Sequence, residues 1–275
     1  PSLAEVTDAQ LPATTEFRII DSLADADAQI FVPPDYFMCD DCRRELGDPS
    51  DRRHGYPFIN CTQCGPRYTL IETLPYDRPN TSMAAFPLCP DCEAEYLDPS
   101  DRRFHAEPVA CAACGPQLAF ERAGRETIAA TADALVAAVA AIRDGEIVAV
   151  KGIGGYHLIC DACNEDAVAR LRRNKPRPDK PLAVLFPAPL EQPFALLDTF
   201  AKLSASDKRF LQHPARPILL VRKRTGSRLA RAIAPGLAEI GAMLPYSPLH
   251  HLLLNDFGGP LVATSANISG EPVLT

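Results

Sequence analysis

The sequence predicts an α/β protein in which a small duplicated metal-binding module precedes a domain with a mixed or parallel sheet. Three observations carry this. Eight of the ten cysteines lie between positions 39 and 114, all as C-x-x-C pairs. The stretch that holds them repeats at an offset of 50 residues. After about Arg125 the pattern changes to alternating helix and strand signals, the order that builds an α/β layer.

At 275 residues the chain is long enough for roughly two domains with real cores. An apolar content of 47% with 23% charged residues argues against disorder. The 28 basic and 35 acidic residues leave a net charge of −7, so no global pull toward nucleic acid or anionic lipid is expected. Apolar runs as short as Ile147–Val150 exclude a membrane helix. The first thirty residues hold acidic side chains and no apolar core of a signal peptide, which points to a reducing, cytoplasmic setting. A chain that opens on Pro1 reads as a piece of a longer one.

Residues 1–32 read as a linker or the end of a preceding domain, with a short strand signal at Glu16–Ile20 and a stop at Pro33-Pro34. Residues 33–122 form the duplicated module. Cys39, Cys42, Cys61 and Cys64 recur as Cys89, Cys92, Cys111 and Cys114, and Asp48–Arg53 returns letter for letter as Asp98–Arg103. The spacing C-x2-C-x18-C-x2-C, twice, suits two tetrahedral zinc shells of four thiolates; disulfides or an iron–sulfur cluster are the rivals. Gly65 and Gly115 follow each second pair and permit a tight turn whose N–H groups face the sulfurs. Pairing within each copy and nested pairing differ by only about 1 kcal/mol of loop entropy. Pairing within each copy is favoured, because a duplicated unit should have folded before it was duplicated. With no position left for water, both ions are expected to be structural. His54 and His105 read as packing or surface residues, and the Asp-Pro-Ser-Asp-Arg-Arg repeats as solvated turns, with partner docking by their arginines as the alternative.

Residues 126–275 carry the sheet signals. Thr131 can cap a helix bearing Leu135, Val136, Val139 and Ile142, closed by Gly145. Glu146–Lys151 reads as a buried strand running into a Gly-rich turn at 152–155, either a phosphate-approaching turn or a strand–helix bend. Asn164 can cap a second helix with Ala167, Val168 and Leu171 on one face. Leu182–Phe186, Ile218–Val221 and Leu261–Thr264 are further strand candidates. Cys160 and Cys163 read as core or near-surface thiols, and His213, His250 and His251 as packing or exposed residues.

The candidate chemistry is basic and polar. Arg170, Arg172 and Arg173 read as a solvated helix face, whereas in Lys175-Pro-Arg177-Pro the prolines hold two cations in a fixed pose suited to a polyphosphate or small carboxylate-like anion. Ser265 and Asn267, after a buried strand, can place a hydroxyl and an amide beside a phosphate or its metal.

Two resemblances meet in these residues. Lys175-Pro-Arg177-Pro-Asp-Lys180, Met243–His250 and Thr264-Ser265-Ala-Asn267-Ile-Ser-Gly resemble the YrdC-like domain of threonylcarbamoyladenylate synthases and carbamoyltransferases. The cysteine spacing, its repeats and Lys151–His157 resemble the NiFe-hydrogenase maturation carbamoyltransferases (HypF family). The resemblance implies a YrdC-like twisted mixed sheet, here C-terminally incomplete, and an ATP-dependent carbamoyl-adenylating activity. It also implies Zn²⁺ and Mg²⁺-ATP, carbamate derived from carbamoyl phosphate, and a HypE-type partner whose C-terminal cysteine accepts the carbamoyl group. It assigns Lys175, Arg177, Ser265 and Asn267 to catalysis, with Lys151, Tyr156, Lys180 and Thr264 binding substrate. A threonylcarbamoyladenylate synthase of tRNA modification, and a zinc-dependent module for protein or double-stranded RNA, are the alternatives.

Overall fold

The computed structural model describes residues 32–125, 127–175 and 180–267. Two short helices, α1 (Asp40–Gly47) and α2 (Pro90–Leu97), each begin directly after the first cysteine of a copy. Identical letters then give identical turns. Asp48 accepts from Ser50 N–H and Asp98 from Ser100 N–H, both at 2.9 Å, while Asp51 and Asp101 accept from Arg53 and Arg103 N–H at 2.7 Å. These Asx turns aim the arginine pairs inward.

Helix α3 (Thr131–Arg143) opens the sheet domain. Its N-cap is Ala130, not Thr131: the Thr131 hydroxyl instead donates to Gln117 at 2.6 Å and accepts from Leu118 N–H at 3.0 Å, pinning the chain that leaves the second finger. Gly145 ends α3 with φ of 79°, as its position predicts. Strands β1 (Val148–Gly152) and β2 (Gly155–Asp161) form a hairpin, so the Gly-rich turn joins two antiparallel strands and is not a strand–helix bend. Asn164 caps α4 (Glu165–Asn174) by accepting from Ala167 N–H at 3.0 Å. There follow β3 (Ala183–Leu185), α5 (Leu197–Phe200), β4 (Ala201–Lys202), α6 (Ala205–Leu211), β5 (Leu219–Lys223), β6 (Glu239–Met243), α7 (Pro248–Phe257) and β7 (Leu261–Ser265).

The seven strands run β1-β2-β7-β3-β6-β5-β4, and β3–β6 is the single parallel pair among them. The sheet is therefore mixed. Period-two alternation sends neighbours to opposite cores. Leu185 and Leu261 join α3 and α7 on one face, while Val184 and Val262 join α4 and α6 on the other. Arg170 and Arg172 are not a solvated face: Arg170 reaches the Gly145 carbonyl, and Arg172 donates to Ile233 O at 2.9 Å and Lys180 O at 3.3 Å. Their heads satisfy loop carbonyls.

Burial of His250 and His251 on α7 gives the fold a pH dependence. Burial pushes His250 down to about 3, and burial together with Arg43 and Arg216 holds His251 well below the ordinary 6.5. Both stay neutral when folded and take up protons on unfolding, so their contribution is complete above pH 6.5 and is lost as pH falls below it. Each histidine can add a slope of up to about 1.4 kcal/mol per pH unit. With zinc retained, denaturant unfolding measured from pH 6.5 to 5.5 should show a shallower slope in His250→Gln than in the parent. Equal slopes would contradict this.

Candidate functional site

Two candidate metal centres lie at the heart of the two fingers. In the first, the Sγ atoms of Cys39 and Cys61, Cys61 and Cys64, and Cys64 and Cys42 are 3.7, 3.8 and 3.5 Å apart. In the second, Cys89–Cys111, Cys111–Cys114 and Cys114–Cys92 are 3.7, 3.8 and 3.7 Å apart. A tetrahedron of Zn–S bonds near 2.3 Å has edges of about 3.8 Å, so both sets fit a zinc ion. No sulfur pair is near the roughly 2.05 Å of a disulfide. Ligands group within each copy, the favoured arrangement. Cys42, Gln63 and Ala113 N–H groups face the sulfurs of Cys39, Cys61 and Cys111 at 3.4–3.5 Å.

Neither glycine leaves room for a side chain. Gly65 holds φ of 95°, and a Cβ there would lie 2.6 Å from Asn60 Cβ. Gly115 has no positive φ; a Cβ there would lie 2.0 Å from the Tyr56 hydroxyl and 2.5 Å from Ala110 Cβ.

The repeated arginines are not solvated turns. They cross between the copies in a reciprocal clamp. Arg52 donates to Cys92 Sγ at 3.4 Å, and Arg102 donates to Cys42 Sγ at 2.8 Å. Arg53 pairs with Glu95 at 2.5 Å and donates to Ala110 O at 2.9 Å. Arg103 pairs with Glu45 and donates to Asn60 O at 3.1 Å. Arg53 and Arg103 are only 2% and 4% exposed. Burial alone would raise Glu95, but its bonds from Arg53 and Arg52 prevail and hold it at about 2. Four thiolates around Zn²⁺ leave a net charge of −2, which the opposite copy's guanidinium offsets in a partly dry setting. Removing one partner of a buried pair costs about 3–5 kcal/mol. Arg53→Met should therefore weaken the zinc-loaded fingers by about that amount in urea unfolding; a change below about 0.5 kcal/mol, the size of an ordinary surface substitution, would refute the clamp.

Strand β7 delivers the second cluster. Its last residue, Ser265, lies opposite His157 of β2. The chain then turns, held by Ala266 N–H donating to Tyr156 O at 2.8 Å. Ser265 Oγ donates to Asn267 Oδ1 at 2.5 Å. Lys175, just past α4, brings its Nζ to Ser265 O, to Asn267 O at 2.8 Å and to Asn267 Oδ1 at 3.3 Å. Three of the four predicted catalytic residues thus meet across 90 residues of chain; Arg177 lies outside the described residues. Lys151 is paired across the hairpin with Tyr156, its Nζ 5.8 Å from the ring centroid. Lys180 is exposed, and Thr264 is buried on the face opposite to Ser265. Sequence reasoning missed His157 and Tyr246, whose Nδ1 and hydroxyl are 3.3 Å apart beside this cluster. Burial alone lowers His157 and raises Tyr246 to about 12, so both stand neutral. Cys160 is buried, Cys163 is exposed, and neither joins a metal cluster among the described residues.

Residues 38–71 and 88–121 each match the family described as "HypF finger", and residues 140–275 match the Sua5/YciO/YrdC family described as "Telomere recombination". The "Carbamoyltransferase HypF" of Synechocystis sp. is 53% identical over 96% of this chain and 34% of its own length. The "Threonylcarbamoyl-AMP synthase" of Vibrio vulnificus is 31% identical over 48% of this chain and 71% of that protein. The crystal structure of full-length HypF in the phosphate- and nucleotide-bound form superposes with a TM-score of 0.81 at 45% identity, covering 90% of this chain and 32% of that one. Fold and centres together define a two-finger protein with a YrdC-type sheet domain. The chain spans about a third of the length of the HypF relatives it matches. It belongs to the carbamoyltransferase HypF family. No helix among the described residues is long and apolar enough to cross a membrane.

Proposed function

We propose that this chain supplies the zinc fingers and the carbamoyl-adenylating domain of a carbamoyltransferase of NiFe-hydrogenase maturation. The observation that carries the reading is the convergence of Lys175 on Ser265 and Asn267 from a separate element. In the proposed step a carbamate oxygen attacks the α-phosphorus of ATP, the bond from that phosphorus to the bridging oxygen breaks, and pyrophosphate leaves with the electron pair. Two anions must approach, so the site needs cations and a Mg²⁺ ion to offset their repulsion. Lys175 and Arg177 would hold the phosphates, and Ser265 and Asn267 would orient the α-phosphate or the metal. Lys151 and Tyr156 would border the carbamate end, Lys180 and Thr264 the nucleotide. In the longer proteins of the family the carbamoyl group would pass to the C-terminal cysteine thiol of a HypE-type partner.

The Vibrio relative keeps a second reading open, in which threonine condenses with bicarbonate and ATP. Fingers of the HypF type favour the first. A net charge of −7 weighs against an RNA-binding role. ATP–pyrophosphate exchange decides between the two enzymes. Stimulation by carbamate, formed from ammonium and bicarbonate, is expected; a requirement for threonine would overturn the proposal.

A further inference from the structure

A cavity of about 360 Å³ opens between the first finger and the sheet domain. It shares no residue with the Lys175, Ser265 and Asn267 cluster. Residues following the ends of the parallel strands β3 and β6 form one wall, and α1 of the finger forms another. Arg43 enters from α1 and Arg216 from the turn before β5, with His251 of α7 between the two parts. Arg43 Nη2 and Arg216 Nε are buried and lack any hydrogen-bond partner. Arg216 stacks over the Phe37 ring at 4.1 Å and donates from Nη1 to Leu211 O at 3.5 Å, and Asp40, 3.7 Å from Arg43 and 68% exposed, also lines the cavity.

Two guanidinium donors with nothing to donate to are costly in a protein interior, and native structures answer such groups with a partner. The arginines also repel each other. Burial, with Arg43 adding to it, lowers Arg216 to about 10. A small anion between them would satisfy both donors and cancel the repulsion, and the planar fork of arginine matches two oxygens of one group. His251, kept neutral by burial, adds no competing charge.

We propose that this cavity binds a small oxyanion of the carboxylate or phosphate class, held between Arg43 of the finger and Arg216 of the sheet domain, and that the bound anion fastens the two parts together. This does not depend on the adenylation reading.

The test is calorimetric and thermal titration of the zinc-loaded chain with inorganic phosphate and, separately, acetate, at constant ionic strength in chloride. Saturable binding with a rise in melting temperature is expected for at least one anion. Arg43→Gln and Arg216→Gln should each weaken it at least tenfold. Gln212→Glu, which sets a carboxylate on the exposed rim of the cavity, should do the same without changing the melting temperature in chloride alone. Lys175→Ala should bind as the parent does. Competition by acetate assigns the site to carboxylates as well, and saturation by phosphate alone assigns it to tetrahedral anions; either supports the proposal. Absence of saturable binding, unaltered binding in Gln212→Glu, or loss of binding in Lys175→Ala would overturn it.

Discussion

Replacing Cys42 with Ser should remove one zinc ion and loosen both fingers, not one. The local part follows from the ligand set: Cys42 is fully buried among three other sulfurs, and a hydroxyl is a poor zinc ligand beside a thiolate. Structural zinc contributes on the order of 10–16 kcal/mol in small finger peptides, so the first finger has little to fall back on. The distant part follows from the clamp. Arg102 bonds to Cys42 Sγ and Glu45, and Arg103 is buried against Glu45 and Asn60, so a disordered first finger strands two cations of the second. Native mass spectrometry should show the parent with two zinc ions and few molecules holding one. In Cys42→Ser the remaining zinc should leave to a chelator at least tenfold faster than either ion leaves the parent. Unchanged release from the second finger would show the copies to be independent.

Lys175→Ala is expected to abolish carbamate-stimulated pyrophosphate exchange while leaving fold and zinc intact. The half-buried ammonium bonds to Ser265 O, Asn267 O and Asn267 Oδ1 at the β7 turn, and neither residue belongs to a hydrophobic core or a zinc shell. Losing one preorganised charge aimed at a transition state costs roughly 10²–10³ in rate, or about 3–4 kcal/mol. Ser265→Ala should have a smaller effect, because Lys175 contacts the Ser265 carbonyl, which the substitution keeps. A Lys175→Ala protein that exchanges within threefold of the parent would exclude Lys175 from the chemistry.

What could be read from the sequence follows from where each residue's partners lie. The zinc shells were legible because their ligands are of one chemical kind at fixed local spacing, and Asn164 was legible because its cap bonds lie three residues away. Thr131 misled because a tertiary partner, Gln117, claimed its hydroxyl. The clamp was illegible for the same reason: Arg53 finds Glu95 42 residues on, and nothing local distinguishes a docked arginine from a solvated one. Its one sequence signal was repetition, since an identical arginine pair in two copies is what a reciprocal contact requires. The turn at Gly152–Gly155 is equally open to a strand–helix bend and a hairpin by composition, because glycine serves both, and register alone tells them apart. Strand β6 and helix α7 went unread, although Ser247-Pro248 opens α7 and Gly258, with φ of 80°, closes it in the expected manner. Lys175, Ser265 and Asn267 stand out in the sequence by chemistry and family resemblance, and only the fold, which sets the end of α4 beside the end of β7, brings them together.

The most direct test of the adenylation account follows a single oxygen atom. Carbamate formed from ¹⁸O-bicarbonate and ammonium is mixed with the protein and ATP, and the product is trapped with hydroxylamine, which attacks the carbonyl carbon and releases AMP. If carbamate attacks the α-phosphorus, the recovered AMP carries one ¹⁸O on its phosphate and pyrophosphate appears in equal amount. Unlabelled AMP, or ADP with orthophosphate in place of AMP and pyrophosphate, would contradict the account.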